Sequence, residues 1–490
     1  MKQFLLLVGL SLGGMLGAFI RGPFVALCVY YLYAVLRPQA IWKFQMSTMP
    51  EFGWSFYVAL AALLSYLPWV FGIVGPLNEP ERRVFPRFVW PHRMMIGFSI
   101  WVTLSYLFAN NQDRAWFYYQ ELLKVFLMYF LATQVIRAYW QIHILYLIVT
   151  FALGYIAFDV VQTYATSGYL VLFKRGFSDL DNNGAALMLA MGIPLLFFAW
   201  EFTKGWYRWG FLLMIPIIGE AVMSSYSRGA MISAVAVTPF YLLYSRKKKF
   251  LLMCFAMALV AVPVVAGKEI KERFNTVKEA GDDDSFNSRL MSWDCARRIA
   301  NDYPVFGAGV RCSNLLTKQY GADLEGRTIH NQYLQIAADN GWLGLVWYLA
   351  LLYTAFIAFW FARRRLWKLQ DPESVRATAM LGGIECSLLT FLVGAIALSL
   401  ETFELPYLLI LLGTQIWSVM NAQVSLPPGY RHLPIQTVPL MTAKRRPVPV
   451  TGPRPTIPSK PLGSSAESGH PTASPTVPDF PPPGGWPANT

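Results

Sequence analysis

The stretch EGRTIHNQYLQIAADNGWLGL, residues 325–345, places His330 just ahead of a long apolar run, in a chain with five histidines among 490 residues. An imidazole ionises near neutrality, so a histidine at the edge of an apolar element suits a general base that takes a proton from an attacking hydroxyl. Such a residue equally suits a plain anchor for the helix that follows. Three further polar groupings adjoin apolar sequence. SFNSRLMSWDCARRIANDYP, residues 285–304, predicts a helix in which Arg289, Trp293 and Arg297 recur every four residues and which Tyr303 and Pro304 end. VMSSYSRGAMIS puts Arg228 at the end of an apolar segment, and KRGFSDLDNNGAALML puts Lys174, Arg175, Asp179, Asp181, Asn182 and Asn183 at the start of another. A guanidinium can grip two phosphate oxygens with parallel hydrogen bonds, so Arg228 and Arg289 are the candidates for neutralising an anionic leaving group.

Structural roles compete with these chemical ones. Arg228 is costly in apolar surroundings unless partnered, and an ion pair with Glu401 or Glu404 would satisfy it. Asp181 and Asn182 suit the N-cap of the helix starting near Asn183 as well as a substrate contact. Trp293 suits packing as well as sugar stacking, and Arg297, Arg298 and Arg311 suit a solvated face or ion pairs. His330, Tyr333, Leu334 and Ala337 would share one side of a helix beginning at residues 330–338. VFGAGVRCSNLL, residues 305–316, reads as a turn, since GAGV lacks the third glycine and the strand–helix frame of a dinucleotide site. No metal is expected: residues 267–338 hold no histidine cluster, and their one run of aspartates, Asp282, Asp283 and Asp284, lies adjacent in sequence in a charged stretch.

These groups sit among apolar blocks. With 55% hydrophobic and 14% charged residues the chain has more apolar sequence than one soluble core can bury. Continuous apolar segments at 3–19, 22–37, 54–75, 92–110, 116–137, 142–163, 184–201, 207–223, 229–245, 249–266, 339–362, 376–400 and 404–421 approach the ~20 residues that span a bilayer. The prediction is an all-α polytopic membrane protein with twelve or thirteen transmembrane helices; a barrel's strands would alternate over about ten residues instead. The N-terminal segment MKQFLLLVGLSLGGMLGAFIRG has no small-x-small cleavage site and is read as an uncleaved span. The basic clusters RKKK at 246–249 and RRRLWK, whose arginines begin at 363, are read as cytoplasmic, which puts the loop between them outside.

The predicted organisation is N-terminal transmembrane helices at 1–266, a mostly helical outer loop domain at 267–338, C-terminal transmembrane helices at 339–422 and a disordered cytoplasmic tail at 423–490. Seventeen of the 32 prolines fall in the last 66 residues, a composition that disfavours a packed core. The net charge of +13 needs no nucleic acid, because ten Lys/Arg face ten Asp/Glu in 267–338 and the surplus lies on cytoplasmic loops and the tail. Of the cysteines at 28, 254, 295, 312 and 386, only Cys295 and Cys312 share the outer loop, either as a disulfide or as two buried thiols.

Taken in order, DNNGAALMLAMGIP, SSYSRGA, NSRLMSWDCARRIANDYPVFGAGV and IHNQYLQIAADNGWLGL resemble the O-antigen ligase and polymerase superfamily of bacterial inner-membrane glycosyltransferases, over about residues 150–400. RGPFVALCVYYLYAVLRPQAIWKF resembles the O-glycosylation ligases that accompany exosortase systems. The resemblance implies a GT-C-like membrane fold and transfer of a glycan from undecaprenyl diphosphate to an acceptor, lipid A–core, on the periplasmic side, without metal or cofactor. It implies His330 as base and Arg228 and Arg289 on the diphosphate, with Asn182, Asn183, Arg297, Arg311 and Tyr333 as further substrate contacts. An O-antigen polymerase or a protein O-oligosaccharyltransferase of the same superfamily would share these residues. A non-enzymatic lipid-glycan transporter would instead spread intramembrane charge along a pathway, whereas here the charges gather on one side.

Overall fold

The computed structural model describes residues 2–41, 53–75, 88–265, 284–323, 326–369 and 371–424. All belong to the unit Met1–Ile435; the second unit, Gln436–Thr490, lies outside them, as do Asp282 and Asp283 and nearly all of the expected tail. The described residues form helices and no strand: α1 (Lys2–Arg21), α2 (Phe24–Leu36), α3 (Pro38–Ile41), α4 (Trp54–Val70), α5 (Trp90–Leu107), α6 (Gln112–Val135), α7 (Tyr139–Ser167), α8 (Val171–Arg175) and α9 (Asn182–Ala190). They continue with α10 (Gly192–Phe202), α11 (Arg208–Ser224), α12 (Arg228–Tyr244), α13 (Lys248–Val265), α14 (Asp284–Asp302), α15 (Ser313–Leu316), α16 (Gln332–Leu369), α17 (Pro372–Gly394) and α18 (Glu404–Val424).

Five membrane-length apolar helices occur among the described residues: 3–21, 139–167, 182–202, 332–369 and 372–394. Several other predicted segments give shorter or proline-bearing helices, although Gln112–Val135 and Glu404–Val424 reach 24 and 21 residues. With 13 residues at about 1.5 Å each, α2 reaches roughly 20 Å, less than the ~30 Å hydrocarbon core. The 17-residue helices α11 and α12 each contain a proline, Pro216 and Pro239. The segment 184–201 is divided at Met191 into α9 and α10, two residues before Ile193–Pro194.

Large apolar side chains face outward on many helices, among them Leu5, Ile20, Phe71, Leu213, Val235 and Tyr353, each exposed by more than half. Water would penalise so broad an apolar surface; a lipid tail solvates it. Inside the bundle, small residues admit close packing. A Cβ on Gly383 of α17 would lie 2.1 Å from the hydroxyl of Tyr146 of α7, so only glycine fits where these helices meet.

The bundle has two chemically different ends. Past the C-terminus of α12, Glu201 accepts from the Ser245 hydroxyl and the Arg246 backbone N–H, each at 2.7 Å. The Arg246 guanidinium lies 5.1 Å from the Trp367 ring, and Arg363 is ion-paired with Glu385 and lies 4.1 Å from the Tyr244 ring. The two basic clusters thus meet at one end of the bundle, as the charge pattern predicts. Arg228 opens α12 at the other end, where the loop elements α14 and α15 also pack.

Candidate functional site

His330 lies ahead of α16, not in it. Its backbone is left-handed, φ 54°, and the helix begins at Gln332. Asn331 is the reason: its Oδ1 accepts the N–H groups of Tyr333 and Leu334, both at 3.0 Å, and caps the helix there. The expectation of a helix running from residue 330, with the imidazole on its face, is corrected by this cap. Three contacts hold the turn. The Trp293 indole N–H donates to the His330 carbonyl at 3.3 Å, the Asn331 N–H donates to Ser399 Oγ at 3.2 Å, and the Gln332 N–H donates to the Ala395 carbonyl at 2.9 Å. Trp293 therefore packs the loop helix α14 onto the segment that carries the histidine.

The GAGV turn leads into a second cavity residue, Arg311. Gly341 interrupts α16 with φ 74°, and around that kink the Ala308, Gly309 and Trp342 N–H groups donate to the carbonyls of Ala338, Asp339 and Pro304. A Cβ on Gly341 would fall 2.1 Å from the Val305 carbonyl oxygen. Phe306 stacks between Trp101 and Phe108, with centroids 5.2 and 4.6 Å away. The turn ends at Arg311, again left-handed at φ 57°, whose guanidinium stands 5.4 Å from the Tyr118 ring and whose buried Nη1 has no hydrogen-bond partner among the described residues.

His330 and Arg311 line one cavity of about 620 Å³. Its wall also includes Arg37, Tyr118, Lys124, Asp179, Asp181, Ser399, Glu401 and Glu404. Of the five non-glycine residues with positive φ among those described, Arg37, Ser178, Arg311 and His330 line this cavity, and the fifth, Tyr226, is two residues from Arg228. Left-handed backbone at such residues costs on the order of 1–3 kcal/mol each and persists where surrounding structure enforces it, a pattern associated with functional sites.

Electrostatics tune the imidazole. Burial holds the His330 pKa below its usual 6.5; the Arg289 charge pushes the same way, Arg327 and Arg311 add to it, and Asp181 opposes. His330 is therefore neutral at pH 7 and able to accept a proton. Arg289, on α14, thus acts on the imidazole without lining the cavity wall. Glu401 is buried, takes the Asn340 side-chain N–H at 2.8 Å, and is pushed well above the carboxylate range by burial and by Asp339, against the nearby Arg311.

The other sequence candidates fall into place around this geometry. Asp181 caps α9, accepting the Gly184 N–H at 2.7 Å, and it lines the cavity as well. Asn182 donates to the Ser225 carbonyl at 3.2 Å, tying the start of α9 to the turn before Arg228, and Asn183 donates to Asn182. Arg228 opens α12 behind its cap Ser227; a Cβ on the adjacent Gly229 would sit 3.9 Å from Ala397, two residues from Ser399. Tyr333 donates its hydroxyl to the Leu392 carbonyl at 2.9 Å and does not line the cavity. Arg297 and Arg298 both pair with Asp294 on an exposed face, away from the cavity wall. Cys295 and Cys312 are separate buried thiols, donating to the carbonyls of Tyr320 and Asn111 respectively.

Among the described residues no group of three or more His, Cys, Asp or Glu is arranged to hold a metal ion. Arg37, Lys124, Tyr118 and Ser399 are cavity residues that sequence reading does not single out. Arg37 carries one visible signal, an arginine before a proline at the end of an apolar segment.

Apolar helices with lipid-suited surfaces and a charged cavity at one end define a multi-pass all-α membrane protein with a polar site at the bundle's rim. Residues 217–349 match the family model described as O-Antigen ligase, so this stretch of the chain is similar to that family. The matched stretch contains Arg228, Arg289, Arg311 and His330. No curated protein matches the chain.

Proposed function

We propose that the chain is a glycosyltransferase of the O-antigen ligase type, transferring a glycan from undecaprenyl diphosphate to a hydroxyl of lipid A–core at the periplasmic face of the bacterial inner membrane. In this reading His330 takes the proton of the acceptor hydroxyl as its oxygen attacks the anomeric carbon. The bond from that carbon to the diphosphate oxygen breaks, and the electron pair leaves with the diphosphate. Arg228, Arg289 and Arg311 offset the negative charge there, a task that needs no metal. Attack opposite the leaving group inverts the anomeric configuration. The twelve or thirteen expected spans would place this cavity at the outer boundary of the bilayer, where a lipid-linked donor can enter laterally.

One observation carries the reading: an imidazole whose pKa burial lowers, held in a left-handed turn, shares a cavity with a guanidinium whose buried nitrogen has no hydrogen-bond partner among the described residues. The test is transfer by purified protein in excess EDTA with undecaprenyl-linked glycan as sole donor. His330→Ala is expected to lower kcat by about 10²-fold or more, as loss of a general base does, while donor binding stays near normal. Arg228→Lys keeps the charge and loses the bidentate fork, and is expected to impair transfer as well. Full activity of the His330→Ala protein, or activity that returns only with added magnesium or manganese, would overturn the mechanism.

A further inference from the structure

On the wall of the same cavity, outside the family-matched residues, Arg37 and Asp179 form an ion pair between the end of α2 and the turn before α9. Arg37 follows the last turn of α2 in a left-handed conformation, φ 44°, its N–H held by the Tyr33 carbonyl, and Pro38 begins α3 directly after it. Asp179 is presented by a tight turn in which Phe177 and Leu180 exchange both backbone hydrogen bonds, at 2.9 and 3.0 Å. That turn is rigid: Ser178 has φ 58°, and a Cβ on Gly176 would lie 2.1 Å from the Leu180 carbonyl oxygen. Two strained backbone positions therefore aim one cation and one anion at each other over the cavity that holds His330 and Arg311.

The pair is asymmetric. The Arg37 side chain is 20% exposed and the Asp179 side chain 61%. Burial lowers the Arg37 pKa from its usual value and Glu404 and Glu121 oppose that shift, so carboxyls other than Asp179 also act on the guanidinium. An exposed carboxylate in water is a weak partner for arginine, because solvent screens it. A diphosphate offers more negative charge and a bidentate grip, and it competes well for the same fork.

We propose that Arg37 is a further diphosphate-binding residue of this site, and that Asp179 is its displaceable placeholder, giving up the guanidinium when a lipid diphosphate enters the cavity. The assignment rests on the transferase reading for the identity of the ligand, but it concerns anion binding and is tested apart from transfer. Outside the 217–349 match, it gives the α2–α3 junction a direct part in donor recognition.

The two partners should then respond in opposite directions. Full-length protein in nanodiscs of zwitterionic lipid is titrated with farnesyl diphosphate, and separately with inorganic pyrophosphate. Arg37→Ala is expected to weaken farnesyl diphosphate binding about tenfold, the loss of one bidentate charged contact, with Arg37→Lys intermediate. Asp179→Asn is expected to tighten binding by about threefold, by removing the competing charge. Competition by pyrophosphate would show that the charge alone is read; binding of farnesyl diphosphate alone would assign the contact to a lipid-anchored diphosphate. Equal weakening in Arg37→Ala and Asp179→Asn, or unchanged binding in a folded Arg37→Lys protein, would reduce the pair to a structural tie and overturn the proposal. Opposite shifts in a protein that transfers no glycan would keep the diphosphate site and defeat the transferase reading instead.

Discussion

At the residue scale, His330 matters through conformation as much as through type. A histidine in the first turn of a helix would point along α16 with its neighbours; the Asn331 cap and the Trp293 and Ser399 contacts instead turn it into the cavity. Its lowered pKa fixes the sign of the pH dependence. The base form is present above that value, so kcat/KM is expected to fall as pH drops through a midpoint below 6.5. Arg289 is part of the cause, so Arg289→Gln is expected to move the acid limb upward, toward the ordinary histidine value, besides any loss in rate. A pH–rate profile of the two proteins checks this: a limb that stays where it was would mean that the guanidinium does not reach the imidazole. His330, Arg228 and Arg289 stand out as candidates from residue type beside apolar sequence. Arg37 does not, since its ion-pair partner Asp179 lies on a distant segment of the chain and nothing in its neighbourhood forecasts that contact.

At the element scale, the kink in α16 organises the site. The segment 330–338 reads as the start of a helix that runs on into the apolar stretch; the helix does begin at Gln332 and continue to Leu369, but it breaks at Gly341. The break opens room for the GAGV turn, whose backbone N–H groups use the carbonyls of Ala338 and Asp339. Sequence reading takes that turn as a loop and excludes a nucleotide site; its docking onto a helix break is visible only in three dimensions. Gly341→Ala is expected to fail on two counts, positive φ and overlap with the Val305 carbonyl, and to destabilise by about 2 kcal/mol or more. Gly321 shares the positive φ, 100°, but has open space around it, so Gly321→Ala is the matched control with the smaller loss. Apparent melting temperatures in detergent decide the matter: equal shifts would mean that the turn does not press on the kink.

At the scale of the whole molecule, charge is sorted between the two ends of the bundle. Arg246, Arg363 and Trp367 gather at one end, and His330, Arg228 and Arg311 stand toward the other. With the basic end cytoplasmic, a cysteine at exposed Lys318 is expected to react with a membrane-impermeant maleimide in intact spheroplasts. One at exposed Lys204, in the turn between α10 and α11, is expected to react only after permeabilisation. The reverse pattern would invert the orientation and put the cavity in the cytoplasm. The five native cysteines supply the background to subtract.

Sequence alone determined the solvent of this protein, because long continuous apolar blocks leave no aqueous solution to the folding problem. It also supplies the expected orientation of the bundle, since lysine and arginine mark loops locally and need no tertiary contact to be read. The helix ends that depend on one capping side chain, such as Asn331, lay within its reach but were outweighed by the apolar periodicity around them. Only the tertiary structure decided the cavity. Arg37, Asp179, Arg311, His330 and Glu401 come from five separated segments, and which of them share a wall depends on how helices of unequal length and a glycine kink pack, a property of the whole chain. The His330 pKa follows the same rule, because burial and the Arg289 charge are both consequences of that packing and neither is written in the residues beside it.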